Sequence, residues 1–256
     1  MEEIVSKILD FNRRCCSKYI DEVAKDIKGF PVAQKYLFPD GNIVRPVMSV
    51  STAECDIMLI GAFPSARFEM RNNHLIPVAN NLSPFSQETY FDGRMIRKQA
   101  SREILDNHYF PALHFNPEDI WITDLVKVYL FPKDHIENCR SVNNKIDYVN
   151  THTMFERIAA SEVTWKWKSE EIELCNPKVI ITLGEVCARI LSGDIVTPAK
   201  ELLDGSIRPF SKYNSTIKIA HLGHPEIFRR NASEWREHIL RSLDILSLQL
   251  KRYEAK

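Results

Sequence analysis

Four short apolar segments, each ended by a glycine, a proline or a polar residue, form the strongest pattern in the chain. They cover residues 56–60, 120–127, 179–184 and 217–221. Apolar runs of this length are typical of strands that are buried on both faces of a parallel sheet. Because ligands bind at the carboxyl ends of such strands, we expect the functional site where the four ends meet.

Amphipathic segments, with apolar residues at intervals of three or four, lie between and around these strands. They predict helices over residues 4–27, from residue 97 to the residue before Pro111, over 155–174, over 185–191 and over 235–250. Strands that alternate with helices form βαβ units. The pattern therefore predicts an α/β fold in which helices cover both faces of a mainly parallel sheet.

Two long polar segments interrupt this alternation. Residues 65–90 and 131–150 are rich in asparagine and proline, and they predict loops above the sheet. Loops of this length inside a compact domain are usually functional or mobile. We expect a single domain, in which residues 1–50 form an N-terminal helix and an entry segment packed on the core formed by residues 51–256.

Composition and charge narrow the class of protein. The 34 basic residues balance the 34 acidic ones, so the total charge does not indicate a nucleic-acid partner, although a local basic patch remains open. No apolar run approaches the roughly 18 residues of a membrane span. The first residues lack the order of a signal peptide. We therefore expect a cytoplasmic protein with no membrane partner.

The six cysteines do not form a metal-binding pattern. They are scattered, and no two of them stand in a Cys-x-x-Cys pair. Ordinary reduced thiols explain this spacing better than a zinc or iron–sulfur site does. We therefore expect no metal and no other cofactor. The cysteines are Cys15, Cys16, Cys55, Cys139, Cys175 and Cys187.

Five short motifs at the predicted strand ends occur in a distinctive order. They are Gly61-Ala62-Phe63-Pro64, Tyr90-Phe91-Asp92-Gly93-Arg94, Thr123-Asp124-Leu125-Val126-Lys127, Pro177-Lys178-Val179-Ile180-Ile181-Thr182-Leu183-Gly184, and His224-Pro225 followed by Arg230-Asn231. Together they resemble the uracil-DNA glycosylase superfamily, most closely its iron–sulfur-containing bacterial and archaeal branch. The resemblance covers roughly residues 55 to 250.

The resemblance implies a fold and an activity. The fold is a three-layer α/β/α sandwich around a mainly parallel four-stranded sheet. The activity is removal of a damaged or deaminated base from single- or double-stranded DNA by a monomeric enzyme. The base is flipped into a pocket, is read along its hydrogen-bonding edge, and is cleaved from its sugar by water.

The resemblance also implies roles for individual residues. His224 would donate a hydrogen bond to the departing base, Asp124 would read its pairing edge, and Phe91 would stack on its ring. The turn formed by Gly61, Ala62 and Phe63 would hold the base and the attacking water. Contacts to the DNA backbone would come from Ser65, Arg94, Pro225, Glu226, Arg229 and Arg230, with Arg97 and Lys98 as further basic candidates.

This chain departs from the family pattern at three places. Ala62 and Phe63 stand where the family has an acidic or amide residue, and Glu69 would substitute only if its loop folds back. Asp124 stands where the family has asparagine. An ionised aspartate only accepts hydrogen bonds, so it would favour a base with an amino group, unless it is protonated in a dry pocket. The four cluster cysteines of the branch are absent at their spacing.

Three functions therefore stay open. The first is a DNA glycosylase with an altered base preference, and the second is a glycosylase-like module that binds nucleic acid or nucleotide without cleavage. The third is a hydrolase for small nucleosides. Plainer interpretations also exist, because His224 and Asp124 can cap local backbone, Phe91 can belong to the core, and His221 is more typical of a structural residue.

Overall fold

The computed structural model describes residues 2–26, 46–64, 67–78, 81–130, 152–213, 216–229 and 233–254. In these ranges the strands are β1 Ile57–Gly61, β2 Arg67–Arg71, β3 His74–Val78, β4 Thr89–Phe91, β5 Ile96–Lys98, β6 Trp121–Asp124, β7 Val179–Leu183, β8 Arg208–Pro209 and β9 Lys218–Leu222. The helices are α1 Glu2–Asp26, α2 Ala100–Ile104, α3 Phe110–Leu113, α4 Phe155–Ala159, α5 Glu162–Cys175, α6 Glu185–Ser192, α7 Ala199–Leu202 and α8 Ser233–Glu254.

The central sheet has five strands in the order β6-β1-β7-β9-β8. The first four are parallel, as the sequence predicts, and they are the four apolar segments. The fifth strand, β8, is a two-residue antiparallel edge beside β9. Its second residue is Pro209, which has no backbone N–H to donate, so the sheet ends there.

Helices cover both faces of this sheet. Met58 and Ile60 of β1 belong to one apolar core, together with residues of α1 and α5. The intervening Leu59 belongs to a second core, together with residues of α3 and α8. This alternation is the expected result of strand geometry, because successive side chains point to opposite faces. Within the described ranges, no helix has both the length and the apolar character needed to cross a bilayer.

Part of the segment predicted as a long polar loop is a β-hairpin, so that prediction was wrong for residues 67–78. Strands β2 and β3 pair antiparallel across a two-residue turn. Both turn residues, Asn72 and Asn73, have positive φ angles, of 49° and 61°. Asparagine tolerates this conformation, and two such residues form the tight turn that suits a hairpin.

The helix predicted from residue 97 also differs from the structure. Arg97 and Lys98 lie in β5, and α2 begins only at Ala100. The helical segment then continues beyond Pro111 through a π-helical turn at Leu105–Tyr109. Proline lacks an N–H but is tolerated in the first turn of a helix, so a new helix, α3, can start around it.

Candidate functional site

A pocket of about 550 Å³ opens at the carboxyl ends of the parallel strands. The turn after β1, the end of β6 and the loop after β9 meet there, and the start of α2 closes one side. This is the position that the strand pattern predicts. The pocket is lined by Ala62, Phe63, Pro64, Asn81, Phe85, Gln99, Ser101, Arg102, Asp124, His224 and Glu226.

A second cavity, of about 470 Å³, lies at the opposite, amino-terminal ends of β1 and β7. Its polar lining includes Asp56 and Lys178, which form an exposed ion pair at 2.7 Å. Surface pairs of this kind contribute little energy and carry no evident chemistry. The pocket at the carboxyl ends is therefore the candidate site.

Gly61 allows the floor of the candidate pocket to form. It lies beside Asp124 in the parallel register of β1 and β6. A Cβ atom added at Gly61 would lie 2.5 Å from Cε2 of Phe85, and closer still to Oδ1 of Asp124. Only glycine leaves room for both side chains, so the turn after β1 shapes the pocket through its missing side chain.

Asp124 presents a buried carboxyl group to this pocket. The residue is only 3% exposed, and no described residue donates a hydrogen bond to its carboxylate oxygens. Burial raises the pKa of Asp124 to about 7, although nearby Lys127 and Lys168 act in the opposite direction. A carboxyl group in this state can serve as an acceptor or as a donor near neutral pH.

A buried ionic cluster lies directly behind Asp124. Glu171 of α5 accepts hydrogen bonds from Nζ of Lys127 at 2.9 Å and from Nζ of Lys168 at 2.5 Å. The Lys168 ammonium also donates to the backbone oxygen of Asp124 at 2.7 Å. Two ammonium groups thus face one glutamate, and ionisation of Asp124 would neutralise the remaining positive charge.

The sequence pattern does not indicate that Lys168 and Glu171 belong to the site. They occupy positions i and i+3 of α5 and are completely buried, with exposures of 1% and 0%. Two opposite charges at this spacing are most often a solvated surface pair. One sequence feature hints at burial, because the apolar Ile172 stands next to Glu171 on the same helix. Only the packing of α5 against β6, however, distinguishes a buried pair from an exposed one.

His224 follows β9 and faces the same pocket. Its Nδ1 accepts a hydrogen bond from the backbone N–H of Glu226 at 3.2 Å, so the proton of the neutral ring is on Nε2. Gly184 has a φ of 95°, and a Cβ there would lie 3.3 Å from Cβ of His224. Tyr109 fixes the preceding residue, because its hydroxyl donates to the oxygen of Gly223 at 2.8 Å.

Glu226 forms part of the pocket wall as well. It accepts a long hydrogen bond of 3.4 Å from the hydroxyl of Ser101, and its carboxylate lies 3.6 Å from Nε of Arg229. Sequence analysis assigned Glu226 to the DNA backbone. The structure adds a second carboxylate to the pocket, next to the helical segment that contributes Gln99.

Phe63 and Phe85 are aromatic residues of the pocket, whereas Phe91 lies outside it. Phe91 is 43% exposed in β4 and is not among the lining residues. The structure therefore places Phe91 in neither the pocket nor the core. Phe85 contacts the position of Gly61 and adopts a φ of 51°, which is costly for an aromatic residue. Arg102 holds it by donating to its backbone oxygen at 3.0 Å.

The other predicted site residues are distributed as follows. Phe63 lines the pocket, and its ring packs on Phe155 with centroids 5.1 Å apart. Pro225 is buried at the start of a 3₁₀ turn, and Arg229 is exposed at its end. Arg94 lies at the exposed tip of the β4–β5 hairpin.

Glu69 belongs to strand β2 and is not one of the pocket residues. The condition under which Glu69 would substitute, a loop that folds back into the pocket, is therefore not fulfilled, and β2 pairs with β3 instead. Ser65 and Arg230 lie outside the described residues. His221 is buried in the sheet, where its Nδ1 is 2.7 Å from the hydroxyl of Thr182. Burial lowers the pKa of His221 to about 4.

Metal-binding side chains do not converge in the part of the chain that the structure describes, where no group of three histidine, cysteine or acidic residues is placed to hold an ion. The functional groups that line the pocket are two carboxyl groups, one imidazole, one guanidinium, two amides, one hydroxyl and two aromatic rings. Comparison with protein-family models and with curated protein sequences finds no match for this chain.

Proposed function

We propose that the pocket binds a nucleobase and that the chain is a DNA glycosylase-like protein, as its resemblance to the uracil-DNA glycosylase superfamily implies. One observation carries the proposal. Asp124, His224 and the ring of Phe85 line the same pocket at the carboxyl ends of parallel strands. The volume of about 550 Å³ lies within the range of roughly 300 to 1,000 Å³ that is usual for small-molecule sites.

In the proposed reaction, the bond between the sugar C1′ and the base nitrogen breaks, and the base leaves with the bonding electrons. Water supplies the hydroxyl group that joins C1′, and its second proton balances the charge of the departing base. The Nε2 proton of His224 would stabilise the negative charge that develops on the base. Glu226 is the carboxylate that would orient the water, since neither Ala62 nor Phe63 carries a polar side chain.

Phe85 would provide the stacking surface for the base in place of Phe91. Arg102 holds its backbone, and its ring occupies the space that the missing side chain of Gly61 leaves free. A fixed aromatic face favours a planar ligand, because stacking on any base contributes about 1 to 3 kcal/mol. The pocket thus combines a stacking ring with hydrogen-bonding groups.

Asp124 would determine which base is accepted. In its ionised form the carboxylate only accepts hydrogen bonds, so it favours a base edge that presents an amino group. In its protonated form it can donate to a carbonyl oxygen, as at the pairing edge of uracil. Burial raises the pKa of Asp124 to about 7 against the opposite effect of Lys127 and Lys168, so the ionised form predominates only above about pH 7. We therefore propose a preference for an amino-bearing base above that pH.

A second candidate is a protein of the same fold that binds nucleic acid or a nucleotide without cleaving it. The observation in its favour is the nonpolar turn after β1, where Ala62 and Phe63 offer no group to activate water. Glu69 does not compensate for this, since it lies outside the pocket. In this case the function of Glu226 would be limited to its contacts with Ser101 and Arg229.

A base-release assay separates the two candidates. The purified protein is incubated with labelled oligonucleotides, single- and double-stranded, that each carry cytosine, uracil, hypoxanthine, xanthine or an alkylated base, and abasic sites are revealed by alkaline cleavage. We expect release from at least one substrate and a loss of about 100-fold or more in His224→Ala. His114→Asn, which changes an exposed histidine at the end of α3, is the matched control and should retain full activity.

Each result of the assay has a defined meaning. Release that disappears in His224→Ala supports the glycosylase proposal and identifies the base. DNA binding without release from any substrate supports the binding protein. Release that persists in His224→Ala contradicts the assignment of the pocket as the reactive centre.

A further inference from the structure

The β4–β5 hairpin exposes an unusual set of large apolar side chains beside the pocket. Phe91 is 43% exposed, Met95 is 52% exposed and Ile96 is 75% exposed. Isolated apolar residues on a surface are common, but these three lie within six positions of one hairpin, and Phe91 and Ile96 are a cross-strand pair. Their exposure requires an explanation.

The hairpin tip is held in a fixed shape. Oδ1 of Asp92 accepts hydrogen bonds from the backbone N–H groups of Arg94 and Met95, both at 2.9 Å. Gly93 has a φ of 93°, and a Cβ there would lie 2.7 Å from Cε of Met70 in β2. The tip therefore rests against the β2–β3 hairpin, and the backbone that carries the apolar side chains is already ordered before a partner binds.

The register of the hairpin places two of these side chains together. Phe91 and Ile96 are directly opposite each other in the antiparallel pair, so they project from the same face. Thr89 and Lys98 form the next pair on that face, two residues further along each strand. One face of the hairpin thus presents an aromatic ring and a branched aliphatic side chain, with an ammonium group behind them.

The charge of the hairpin is positive. The hairpin has three basic residues, Arg94, Arg97 and Lys98, and one acidic residue, Asp92. Asp92 forms an ion pair with Arg97 at 2.6 Å. Since the whole chain has no net charge, this local excess distinguishes the hairpin from the remaining surface. An apolar face with flanking basic groups fits a stacked polyanion, whose bases are apolar and whose phosphates are negative.

The position of the hairpin connects it to the pocket. Strand β5 ends at Lys98, and the next residue, Gln99, lines the pocket together with Ser101 and Arg102. A ligand strand that delivers one base to the pocket would therefore pass close to the hairpin. The side-chain nitrogen of Gln99 is buried without a hydrogen-bond partner among the described residues, and a bound base offers acceptors for it.

We propose that the β4–β5 hairpin is a wedge that inserts Phe91 and Ile96 into the base stack of the DNA strand bound at the pocket, while Arg94 and Lys98 contact its phosphates. The proposal rests on the proposed function, since it takes the pocket to be a base-binding site. Apolar side chains inserted between bases unstack them, and this unstacking is the first requirement for extruding a base. The wedge thus accounts for the exposed apolar residues and for their basic neighbours.

The test uses oligonucleotides that carry the fluorescent base 2-aminopurine next to the target base. Binding of the wild-type protein should increase its fluorescence, because the base loses its stacking neighbour. The double variant Phe91→Ser, Ile96→Ser should show little increase and should bind DNA about tenfold more weakly or worse. Val196→Ser, which removes an 86% exposed apolar side chain elsewhere, is the matched control and should behave as the wild type.

Two further measurements separate this proposal from the proposed function. Arg94→Gln should weaken binding with little change in the fluorescence of the saturated complex, because it removes a phosphate contact only. Unchanged thermal unfolding of the double variant would show that the substitutions leave the fold intact. If DNA binding depends on the hairpin but no base is released, the result supports the wedge and contradicts the glycosylase proposal.

Two results would overturn the wedge. The first is a double variant with wild-type affinity and fluorescence, even if base release continues and depends on His224. The second is a wild-type protein that does not bind DNA but associates with itself or with lipid vesicles through the hairpin. In that case the apolar face would serve a different kind of partner.

Discussion

Asp124 is the residue on which the proposed specificity depends, and several charged groups influence it. Burial raises its pKa to about 7, whereas Lys127 of the following loop and Lys168 of α5 lower it. Glu171 of α5 acts with burial and raises it. Cys187 of α6 is close enough for its own pKa to be affected by the Asp124 charge. The protonation of Asp124 is thus set by its burial, by the loop after β6 and by α5.

This environment predicts how stability depends on pH. The pKa of Asp124 is about 7 in the folded state and about 4 in the unfolded state, so the folded state holds its proton more tightly. The contribution of this proton to the free energy of unfolding is fully present below about pH 4, and it is lost as the pH rises through about 7. Asp124→Asn removes this loss, and its free energy of unfolding should exceed that of the wild type by up to about 4 kcal/mol at about pH 8.

Urea denaturation of both proteins at about pH 5 and about pH 8 checks this expectation. The advantage of Asp124→Asn should be clearly larger at the higher pH. Asp244→Asn changes an exposed carboxylate on α8 and serves as the control. An Asp124→Asn variant that is less stable than the wild type at both pH values would contradict the raised pKa.

Gly61 provides a second prediction at the scale of one residue. Gly61→Ala would place a methyl group against Phe85 and Asp124, so one of them must move out of the pocket. We expect a loss of stability of about 1 to 3 kcal/mol and a much larger loss of nucleobase binding. Thermal unfolding and ligand titration measure the two effects separately.

The control for this variant is Gly193→Ala. Gly193 has a φ of 74°, so alanine is strained there, but the nearest atom to a Cβ is 3.5 Å away and belongs to Lys212, far from the pocket. A stability loss of about 1 kcal/mol with intact binding is expected. Equal binding losses in both variants would show that instability alone explains the effect of Gly61→Ala.

At the scale of elements, helix α5 and strand β6 are joined by the buried ionic cluster. Glu171 is the only acidic group there that bonds directly to Lys127 and Lys168 among the described residues. Glu171→Ala would leave two buried ammonium groups without their partner, which typically costs about 3 to 5 kcal/mol. Equilibrium unfolding in urea measures this loss.

The neighbouring residue on α5 offers a matched control. Glu170 forms an ion pair with Arg14 on α1, and its side chain is 35% exposed. Because solvent screens such pairs, Glu170→Ala should cost at most about 1 kcal/mol. Similar losses for Glu170→Ala and Glu171→Ala would mean that the buried cluster contributes no special stability.

The elements differ in how far the sequence predicts them. The four parallel strands and α1 are recognisable because their apolar periodicity is continuous and their ends carry glycine, proline or polar residues. The β2–β3 hairpin is missed because its strands are only five residues long and β3 contains Pro77, so the Asn72-Asn73 pair is the main indication of the turn. The helix that continues past Pro111 is missed because a π-helical turn, which has no simple sequence signal, precedes it.

The candidate site shows the same division. Asp124, His224, Ala62 and Phe63 meet at one pocket because the ends of parallel strands share one edge of a sheet, and this can be deduced from order alone. Phe85 cannot be identified in this way. Its place depends on a positive φ and on the room left by Gly61, and neither property follows from local periodicity.

At the scale of the whole molecule, the balanced charge bears on the proposed binding of DNA. The 34 basic and 34 acidic residues leave no net attraction to phosphates, so the proposal assigns this attraction to the basic groups around the hairpin and to Arg229. Each phosphate contact contributes about −0.9 to the slope of log K against log salt concentration. We expect a slope of about −2 to −4, which fluorescence anisotropy across a salt series measures.

Arg94→Gln should reduce the magnitude of this slope by about 1. Lys251→Gln, at the opposite edge of the sheet, should leave it unchanged. A slope much steeper than about −6 would indicate that a different and larger basic surface contacts the DNA.

The most direct measurement is the ratio of single-turnover release rates for cytosine and uracil, each placed once in an otherwise identical oligonucleotide. The two bases differ at the pairing edge that Asp124 is proposed to read, where cytosine has an amino group and uracil has a carbonyl oxygen. We predict that the wild type releases cytosine faster and that Asp124→Asn shifts the ratio toward uracil by about tenfold or more, because asparagine both donates and accepts. An unchanged ratio in Asp124→Asn, with release still dependent on His224, would show that Asp124 does not read the base.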